Sequence, residues 1–360
     1  MSDRTIILGL DIGGANTKAA LIDFLDDNIQ NISTNIRYYP FWEENIQGLP
    51  KMLNEVVSEL LKEINISFED ITLIAVTITA ELSDAFQTKK EGIHSILKAL
   101  SEVFEPDKIK IISNENKFIS VKESYEKYLN VAGANWVATA LFIGSYEKDC
   151  ILIDAGSTTI DLIPIVNGVP QTLGKDDVSR IMNHELIYTG ALRATIPSIT
   201  NIVPYKGVNC RISFEKFALI ADVHRILDNI SEVEYNCDTA DNRSKSISDC
   251  YARLSRIICG DLDLISKDDI NSIANYIYNA QLKIVESEIK LFLEDLMVRL
   301  PQFKNNPLFI TTGLGEDFLI NVTLHNLRYN NIKSFSDLVE FPDKVKSSAI
   351  AVAGALKHLI

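Results

Sequence analysis

The predicted fold is decided by one stretch of sequence, Ile151-Leu-Ile-Asp-Ala-Gly-Ser-Thr-Thr-Ile-Asp-Leu-Ile-Pro-Ile165. Two apolar runs of strand length flank an Asp-x-Gly turn that carries hydroxyl residues, and this arrangement predicts a β-hairpin. Glycine at the bend lets a ligand approach the backbone closely, and consecutive N–H groups there can point at an anion. The stretch therefore predicts a turn that binds phosphate.

A second copy of this pattern lies near the amino end, in Ile6-Ile-Leu-Gly-Leu-Asp11-Ile-Gly-Gly-Ala-Asn-Thr-Lys18-Ala-Ala-Leu-Ile22. One Asp-x-Gly occurs in many ordinary turns, but two copies between apolar strands favour a duplicated phosphate-binding architecture. Neither turn opens a long amphipathic helix, which excludes the dinucleotide fingerprint and the Walker loop. Aligning the copies pairs Asp11 with Asp154, Gly13 with Gly156, Gly14 with Ser157, Asn16 with Thr159, and Lys18 with Asp161.

Length and composition indicate a globular protein of two domains. The chain has 360 residues, of which 46% are hydrophobic and 23% charged. Its net charge of -14 argues against nucleic acid or an anionic membrane as the main partner. No apolar run reaches the roughly 20 residues that span a bilayer, and Met-Ser-Asp-Arg-Thr does not resemble a signal peptide. We therefore expect a cytoplasmic protein.

The five cysteines are scattered and form no Cys-x-x-Cys, so reduced thiols are expected. Cys237, Cys250 and Cys259 could join His224 around zinc, but their spacing fits no familiar ligand pattern.

The order of apolar runs predicts a mixed α/β layer in each half of the chain, with three strands followed by helices and further strands. Within the first half, a helix is predicted over 117–129. In the second half, a third strand is predicted over 169–173 and a helix over 214–227. The last helix is predicted over 348–359, where it would return to pack on the first domain.

These motifs resemble the actin, sugar kinase and Hsp70 superfamily, whose two phosphate turns look like residues 11–18 and 154–159 and whose adenosine-side glycine turn looks like Thr312-Gly-Leu-Gly315. Five further segments resemble its hydantoinase/oxoprolinase-like branch, which is associated with tetrahydromethanopterin-linked one-carbon metabolism in methanogenic archaea. They are Thr77-Ile-Thr-Ala-Glu-Leu-Ser-Asp84, Ala134-Asn-Trp-Val-Ala-Thr-Ala140, Glu185-Leu-Ile-Tyr-Thr-Gly-Ala-Leu-Arg193, Ala221-Asp-Val-His-Arg225 and Cys237-Asp-Thr-Ala-Asp241.

The resemblance implies two RNase H-like domains around a central cleft, the first over 1–141 with 342–360 and the second over 142–341. It also implies methanofuran biosynthesis, in which γ-glutamyltyramine is joined to the diphosphate of aminomethyl-furanmethanol and pyrophosphate is released. The fold's phosphate turns would then bind the leaving diphosphate instead of ATP. Residues 28–36 carry no family signal, and no site residue is placed there. A homodimer of this chain is compatible with the resemblance.

The resemblance further implies that Asp11 and Asp154 face each other across the cleft and hold Mg²⁺ through waters, with Lys18 as a point charge for the phosphate. Each single turn residue could instead serve only the packing of its turn. The expected diphosphate-binding residues, besides Lys18, are Gly13, Gly14, Asn16, Thr17, Gly156, Ser157, Thr158, Thr159, Gly313 and Gly315.

A carboxylate that accepts the phenolic proton of γ-glutamyltyramine would assist ether formation, because a phenol has a pKa of roughly 10 and stays protonated at neutral pH. Glu81 and Asp84 are the candidates, since they follow a predicted buried strand at its carboxyl end. A helix cap with a solvated Glu is the alternative. For substrate binding we expect Glu185, Arg193, Lys206, Arg211 and His224. The alternatives are surface ion pairs for the cations and a core position for the histidine.

Two other functions compete with this interpretation. An ATP-dependent small-molecule kinase would use the same turns for ATP. A nucleotide-switched interaction protein is the alternative from another class. An iron–sulfur activase of the same superfamily would need clustered cysteines that this sequence lacks.

Overall fold

The structure is a computed structural model that describes residues 4–26, 28–44, 46–81, 83–338 and 348–359. The chain forms two compact units. The first comprises residues 1–150, 163–180 and 339–360, and the second comprises residues 151–162 and 181–338.

The sheet of the first unit has six strands in the order β3-β2-β1-β4-β5-β6. Strands β1, β2 and β3 form an antiparallel meander, β4 and β5 run parallel to β1, and β6 is antiparallel to β5. This is the mixed layer that the sequence predicts. The strands are β1 (Arg4–Gly13), β2 (Asn16–Leu25), β3 (Asn28–Tyr38), β4 (Leu73–Thr79), β5 (Ile109–Ser113) and β6 (Lys117–Ile119).

Helices cover the sheet of the first unit, so that β1 is buried over nearly its whole length. Gly9 allows the last helix to lie directly on β1, since a Cβ at this position would stand 2.0 Å from the carbonyl oxygen of Ala349. The helices are α1 (Leu49–Glu63), α2 (Lys89–Val103), α3 (Val121–Glu126), α4 (Tyr128–Val131), α5 (Asn135–Tyr146) and, at the end of the chain, α13 (Ser348–Leu359).

The predicted helix over 117–129 is wrong at its start. Residues 117–119 form β6, because they pair with β5, and Ser120 then caps α3 by accepting a hydrogen bond from the N–H of Glu123. The capping box fixes the first residue of the helix after this strand.

A second sheet has the order β10-β8-β7-β13-β14, with β9 paired to β8. Strand β13 is parallel to β7 and to β14, and β10 is antiparallel to β8. The predicted third strand over 169–173 ends at Pro170, which has no N–H for a ladder bond. The strands are β7 (Cys150–Ala155), β8 (Ile160–Val166), β9 (Val169–Pro170), β10 (Leu186–Ile187), β13 (Phe309–Thr312) and β14 (Ile332–Ser334).

The remaining elements are mainly helical, and a small hairpin of β11 (Ile202–Tyr205) and β12 (Val208–Arg211) lies among them. The predicted helix over 214–227 starts later, at Ile220, where the Asp222 carboxylate accepts from the N–H of Leu219. The helices are α6 (Asp177–Met182), α7 (Ile196–Ile199), α8 (Ile220–Ile226), α9 (Ile247–Ser255), α10 (Lys267–Arg299), α11 (Val322–Asn326) and α12 (Phe335–Leu338).

Residues 163–180 belong to the first unit in the structure, whereas the sequence-based division places them in the second. Close packing explains this: a Cβ on Gly144 of α5 would lie 2.2 Å from the carbonyl oxygen of Gly168. In addition, the side chain of Asn114 donates to the carbonyl oxygen of Lys175 at 2.8 Å. No helix in the described part of the chain could cross a membrane.

Candidate active site

The first hairpin brings together two of the predicted site residues. Asp11 on β1 and Lys18 on β2 are register partners, and Lys18 Nζ lies 3.3 Å from Asp11 Oδ2. Asp11 is buried, while the Lys18 side chain is 38% exposed. The hairpin thus presents a positive charge whose position is fixed by a buried carboxylate.

Ser348, which the sequence did not indicate, belongs to the same group. Its hydroxyl donates to Asp11 Oδ2, and Lys18 Nζ donates to Ser348 Oγ at 3.3 Å. Ser348 is the first residue of α13, far from the hairpin in sequence, and only the packing of that helix on β1 brings it here.

The first turn is held by the chain that follows β3. The N–H groups of Tyr39 and Phe41 donate to the carbonyl oxygens of Ala15 and Gly14, at 2.8 and 3.0 Å. In a trans peptide the C=O and the next N–H point in opposite directions, so the N–H groups of Ala15 and Asn16 point away from residues 39–41. Gly13 is required here, because a Cβ would lie 2.8 Å from the carbonyl oxygen of Asn16.

Thr17, predicted to bind diphosphate, is fully buried in β2. Its hydroxyl has no hydrogen-bond partner within the described residues. The Thr17 side chain therefore packs in the interior and does not line the surface of the first turn.

The second turn, residues 156–159, is held by a clamp segment, residues 190–193. The N–H groups of the clamp segment donate to the carbonyl oxygens of the first three turn residues, at 2.9–3.1 Å. The N–H groups of the last three turn residues must therefore point away from the clamp segment. None of these three N–H groups has an acceptor in the part of the chain that is described. Such a row of N–H groups in a turn can receive an anion, and we call the N–H groups of residues 157–159 the nest.

Gly190 permits this contact between backbones. A Cβ on it would lie 2.6 Å from the carbonyl oxygen of Gly156 and closer than 3 Å to the backbone of Ser157 and Thr158. The sequence segment that contains Gly190 signals the family, but nothing in it shows that its backbone holds the turn. The clamp segment was therefore missed in the sequence.

The glycine turn after β13 lies against Asp154. Gly313 has a φ of +94°, and a Cβ on it would lie 2.4 Å from the carbonyl oxygen of Ala155 and 2.6 Å from Asp154 Oδ1. The N–H of Gly315 donates to the same Ala155 oxygen at 2.9 Å. This predicted adenosine-side turn thus packs on the two residues of β7 that precede the second turn.

Glu81 and Asp84 differ in their surroundings. Glu81 is 3% exposed, and its Oε2 has no hydrogen-bond partner among the described residues. Burial raises the pKa of Glu81 to about 7, and the nearby carboxylate of Asp177 adds to the shift. Asp84 is exposed. Of the two candidates, Glu81 has the properties of a general base that works near neutral pH.

The residues predicted to bind the other substrate are not brought together. Glu185 is fully buried and its carboxylate lies 3.8 Å from the guanidinium of Arg299. The three predicted cations are exposed, and two of them belong to the β11–β12 hairpin. Their role in substrate binding stays a prediction. These cations are Arg193, Lys206 and Arg211.

His224 occupies the core of the second unit. It is 0% exposed, and its ring nitrogens lie 3.0 Å from Gln281 Oε1 and 3.1 Å from Asn229 Nδ2. Burial lowers the pKa of His224 to about 3, so the ring is neutral. Both nitrogens are engaged, which leaves none for zinc. The described residues contain no group of three or more His, Cys, Asp or Glu side chains that could hold a metal.

Two of the family-like segments meet in a buried ion-pair network. Arg253 is fully buried and lies 2.8 Å from Asp222 and 3.1 Å from Asp241. The Tyr235 hydroxyl also donates to Asp222 at 3.1 Å. Burial raises the pKa of Asp222, and the ion pair with Arg253 opposes that shift. The network ties the loop around residues 235–244 to α8 and α9.

The chain is similar in sequence to a known protein family and to proteins of known name. A family model described as hydantoinase/oxoprolinase matches residues 72–355. The chain is 34% identical over 318 residues to the (4-{4-[2-(gamma-L-glutamylamino)ethyl]phenoxymethyl}furan-2-yl)methanamine synthase of Methanocaldococcus jannaschii, a match that covers 88% of each chain. It is 36% identical over 173 residues to the protein of the same name from Methanococcus vannielii, covering 48% of this chain and 74% of that relative.

A solved structure supports the fold. Nucleotide-free acetone carboxylase is similar with a TM-score of 0.51 and 10% sequence identity, over 98% of this chain and 70% of that chain. At this identity the likeness concerns the fold alone. Together with the two mixed sheets, it confirms the predicted α/β fold class.

Proposed function

The chain belongs to the hydantoinase/oxoprolinase family, and from this premise we propose that it is the transferase of methanofuran biosynthesis that joins γ-glutamyltyramine to a furan-methyl diphosphate. The observation that carries the proposal is the 34% identity, over 88% of both chains, to a protein named for the ether product of that reaction. The resemblance of its sequence motifs also leads us to propose that it works in the cytoplasm of a methanogenic archaeon, and the two relatives come from Methanocaldococcus jannaschii and Methanococcus vannielii.

The two turns suit the diphosphate of the furan substrate. The N–H groups of residues 157–159 and of Ala15 are directed away from the backbone segments that hold the two turns, and they can donate to phosphate oxygens. Lys18 would add a positive charge where pyrophosphate departs. Donors fixed before the reaction stabilise a developing anion more than mobile ones do.

In the proposed reaction the phenolic oxygen of γ-glutamyltyramine bonds to the methylene carbon of the furan substrate. The bond from that carbon to the diphosphate oxygen breaks, and its electron pair leaves with pyrophosphate. The furan oxygen delocalises positive charge, so stabilising pyrophosphate is the main demand on the protein. We assign acceptance of the phenolic proton to Glu81, whose pKa of about 7 lets it be ionised at neutral pH.

We also propose that the reaction uses Mg²⁺. Asp11 and Asp154 would hold the ion, because carboxylate oxygens are its preferred protein ligands and one or two carboxylates with substrate phosphates are a usual set. When bound, Mg²⁺ would neutralise charge on the leaving diphosphate. The donor chemistry of these residues fits the ion.

The test is incubation of the protein with γ-glutamyltyramine, the furan-methyl diphosphate and Mg²⁺, without nucleotide. Mass spectrometry should detect the ether product, and pyrophosphate should appear in equal amount. The matched control uses the furan monophosphate, which should give no ether. Ether formation that requires ATP and yields ADP would contradict the proposal and favour the kinase.

A further inference from the structure

The second phosphate turn is connected to a buried glutamine on the long helix α10. Gln281 is 0% exposed, and its Nε2 donates to the carbonyl oxygen of Gly190 at 3.0 Å and to Thr189 Oγ1 at 3.1 Å. Its Oε1 lies 3.0 Å from His224 Nε2. Gln281 thus joins the clamp segment to the buried histidine of α8.

The direction of the hydrogen bonds in this group is fixed by chemistry. The carbonyl oxygen of Gly190 can only accept, so the NH₂ group of Gln281 faces it and Oε1 faces His224. His224 must then carry its proton on Nε2 and accept on Nδ1 from Asn229 Nδ2. Burial keeps the pKa of His224 near 3, so the ring holds this single proton at neutral pH.

The hydrogen bonds of the next two peptide groups run in the same direction, from donor to acceptor. The C=O of Gly190 and the N–H of Ala191 belong to one peptide, and that N–H donates to the carbonyl oxygen of Gly156 at 2.9 Å. The peptide of Gly156 ends in the N–H of Ser157, which has no acceptor among the described residues. Every donor in the series therefore points toward the nest.

We propose that this series, Asn229 to His224 to Gln281 to the clamp segment, positions and polarises the Ser157 N–H for the diphosphate. The proposal rests on the proposed function, since it takes the diphosphate as the anion in the second turn. Hydrogen bonds in one direction polarise one another, and a buried series is costly unless each member is satisfied. Here each member is satisfied, and the last donor is left for a ligand. Gln281 and His224 are positioning residues in this scheme.

The test compares variants that break the series with variants that keep it. Gln281→Met removes the amide at similar length, and His224→Leu removes the ring donor and acceptor. His224→Gln keeps one donor and one acceptor and should rescue. Tyr251→Phe is the matched control, because it removes a 2.7 Å hydrogen bond to Asn271, also on α10, that does not lead to the turn.

The first measurement is the dissociation constant of Mg²⁺-pyrophosphate by isothermal titration, with thermal unfolding recorded for each variant. We expect binding to weaken by up to about tenfold in Gln281→Met and His224→Leu, since the whole hydrogen bond from a positioned N–H to an anion is worth about that much. His224→Gln and Tyr251→Phe should stay within about twofold of wild type, even where their stability falls equally. If Gln281→Met does not fold, the two His224 variants decide the matter.

The second measurement is the amide proton shift of Ser157, followed by ¹⁵N NMR during the titration. Pyrophosphate should shift this proton downfield in wild type, and less in Gln281→Met. Equal affinities and equal Ser157 shifts in wild type, Gln281→Met and His224→Leu would overturn the inference alone. Wild-type protein that binds no pyrophosphate would overturn the proposed function, and the inference with it.

Discussion

Lys18 Nζ lies 3.3 Å from Asp11 Oδ2, and these two residues are register partners on β1 and β2. The Ser348 hydroxyl bonds to both side chains and fixes the pair further. In the aligned second hairpin the place of Lys18 is taken by Asp161, so the hairpins share an architecture and differ in charge. The first hairpin supplies the cation for the proposed leaving group.

We expect Lys18→Ala to lower kcat about a hundredfold, the usual effect of removing one preorganised charge at a developing anion. The KM for γ-glutamyltyramine should not change. Arg4→Ala is the matched control, since Arg4 and Asp23 form an ion pair of 2.9 Å across the same two strands. Steady-state kinetics test this, and a raised KM for γ-glutamyltyramine with normal kcat would contradict it.

Asp11→Asn and Asp154→Asn should each abolish turnover while circular dichroism stays unchanged. The reason is that each substitution replaces a carboxylate proposed to hold Mg²⁺ by a neutral amide. Asp23→Asn, which alters a carboxylate on β2 away from the turn, should retain activity. Full activity in either of the first two variants would remove that residue from the proposed metal site.

Glu81 should make both activity and stability depend on pH. Burial raises its pKa from 4.5 to about 7, so wild-type kcat/KM should rise with pH and level off above about 7. The folded chain holds this proton more tightly than the unfolded chain. The bound proton of Glu81 therefore adds to the free energy of unfolding. This contribution is fully present below about pH 4.5 and is lost as the pH rises to about 7.

Glu81→Gln should lose about a hundredfold in kcat, because the proton acceptor is gone. At pH 8 it should be more stable than wild type by about 3 kcal/mol, since no buried charge forms. Asp84→Asn, at the exposed candidate, should change neither quantity. Urea unfolding at pH 5 and pH 8 checks the stability, and an unaltered pH profile in Glu81→Gln would rule out Glu81 as the base.

Gly313→Ala should reduce activity at least tenfold, a loss typical of misplacing one catalytic group slightly, because its Cβ would push on Asp154 Oδ1. Gly207→Ala is the matched control: Gly207 also has a positive φ, of +79°, but a Cβ there would meet nothing within 4 Å. Both variants should lose roughly 1 kcal/mol of stability through backbone strain, with a further loss in Gly313→Ala from crowding. Equal activities in the two variants would show that this turn does not position Asp154.

ATP hydrolysis should be negligible, and ether formation should not need ATP, because the diphosphate leaving group already drives the reaction. Pyrophosphate should inhibit competitively against the furan diphosphate. Initial rates at several pyrophosphate concentrations, with ADP assayed in parallel, test both expectations. Formation of one ADP per ether product would contradict both expectations and favour an ATP-dependent kinase.

The sequence was sufficient for the hairpins, because their signal is local. Apolar runs on either side of Asp11-Ile-Gly and Asp154-Ala-Gly specify strand, turn and strand, and the structure confirms β1–β2 and the adjacent strands β7 and β8 there. The sequence also predicts a long helix over 268–300 that ends before Pro301, and the structure has α10 at Lys267–Arg299. The predicted start of a helix was wrong where a side chain caps the helix, as Ser120 does before α3.

The contacts within the site were decided by tertiary structure. Ser348 reaches Asp11 because α13 packs on β1, and the clamp segment reaches the second turn because β10 pairs with β8. His224 and Gln281 meet only where α8 lies beside α10. The sequence by itself determined the strands and turns, since backbone conformation follows from neighbouring residues. Which buried polar groups satisfy one another depends on segments distant in sequence, and only folding brings those together.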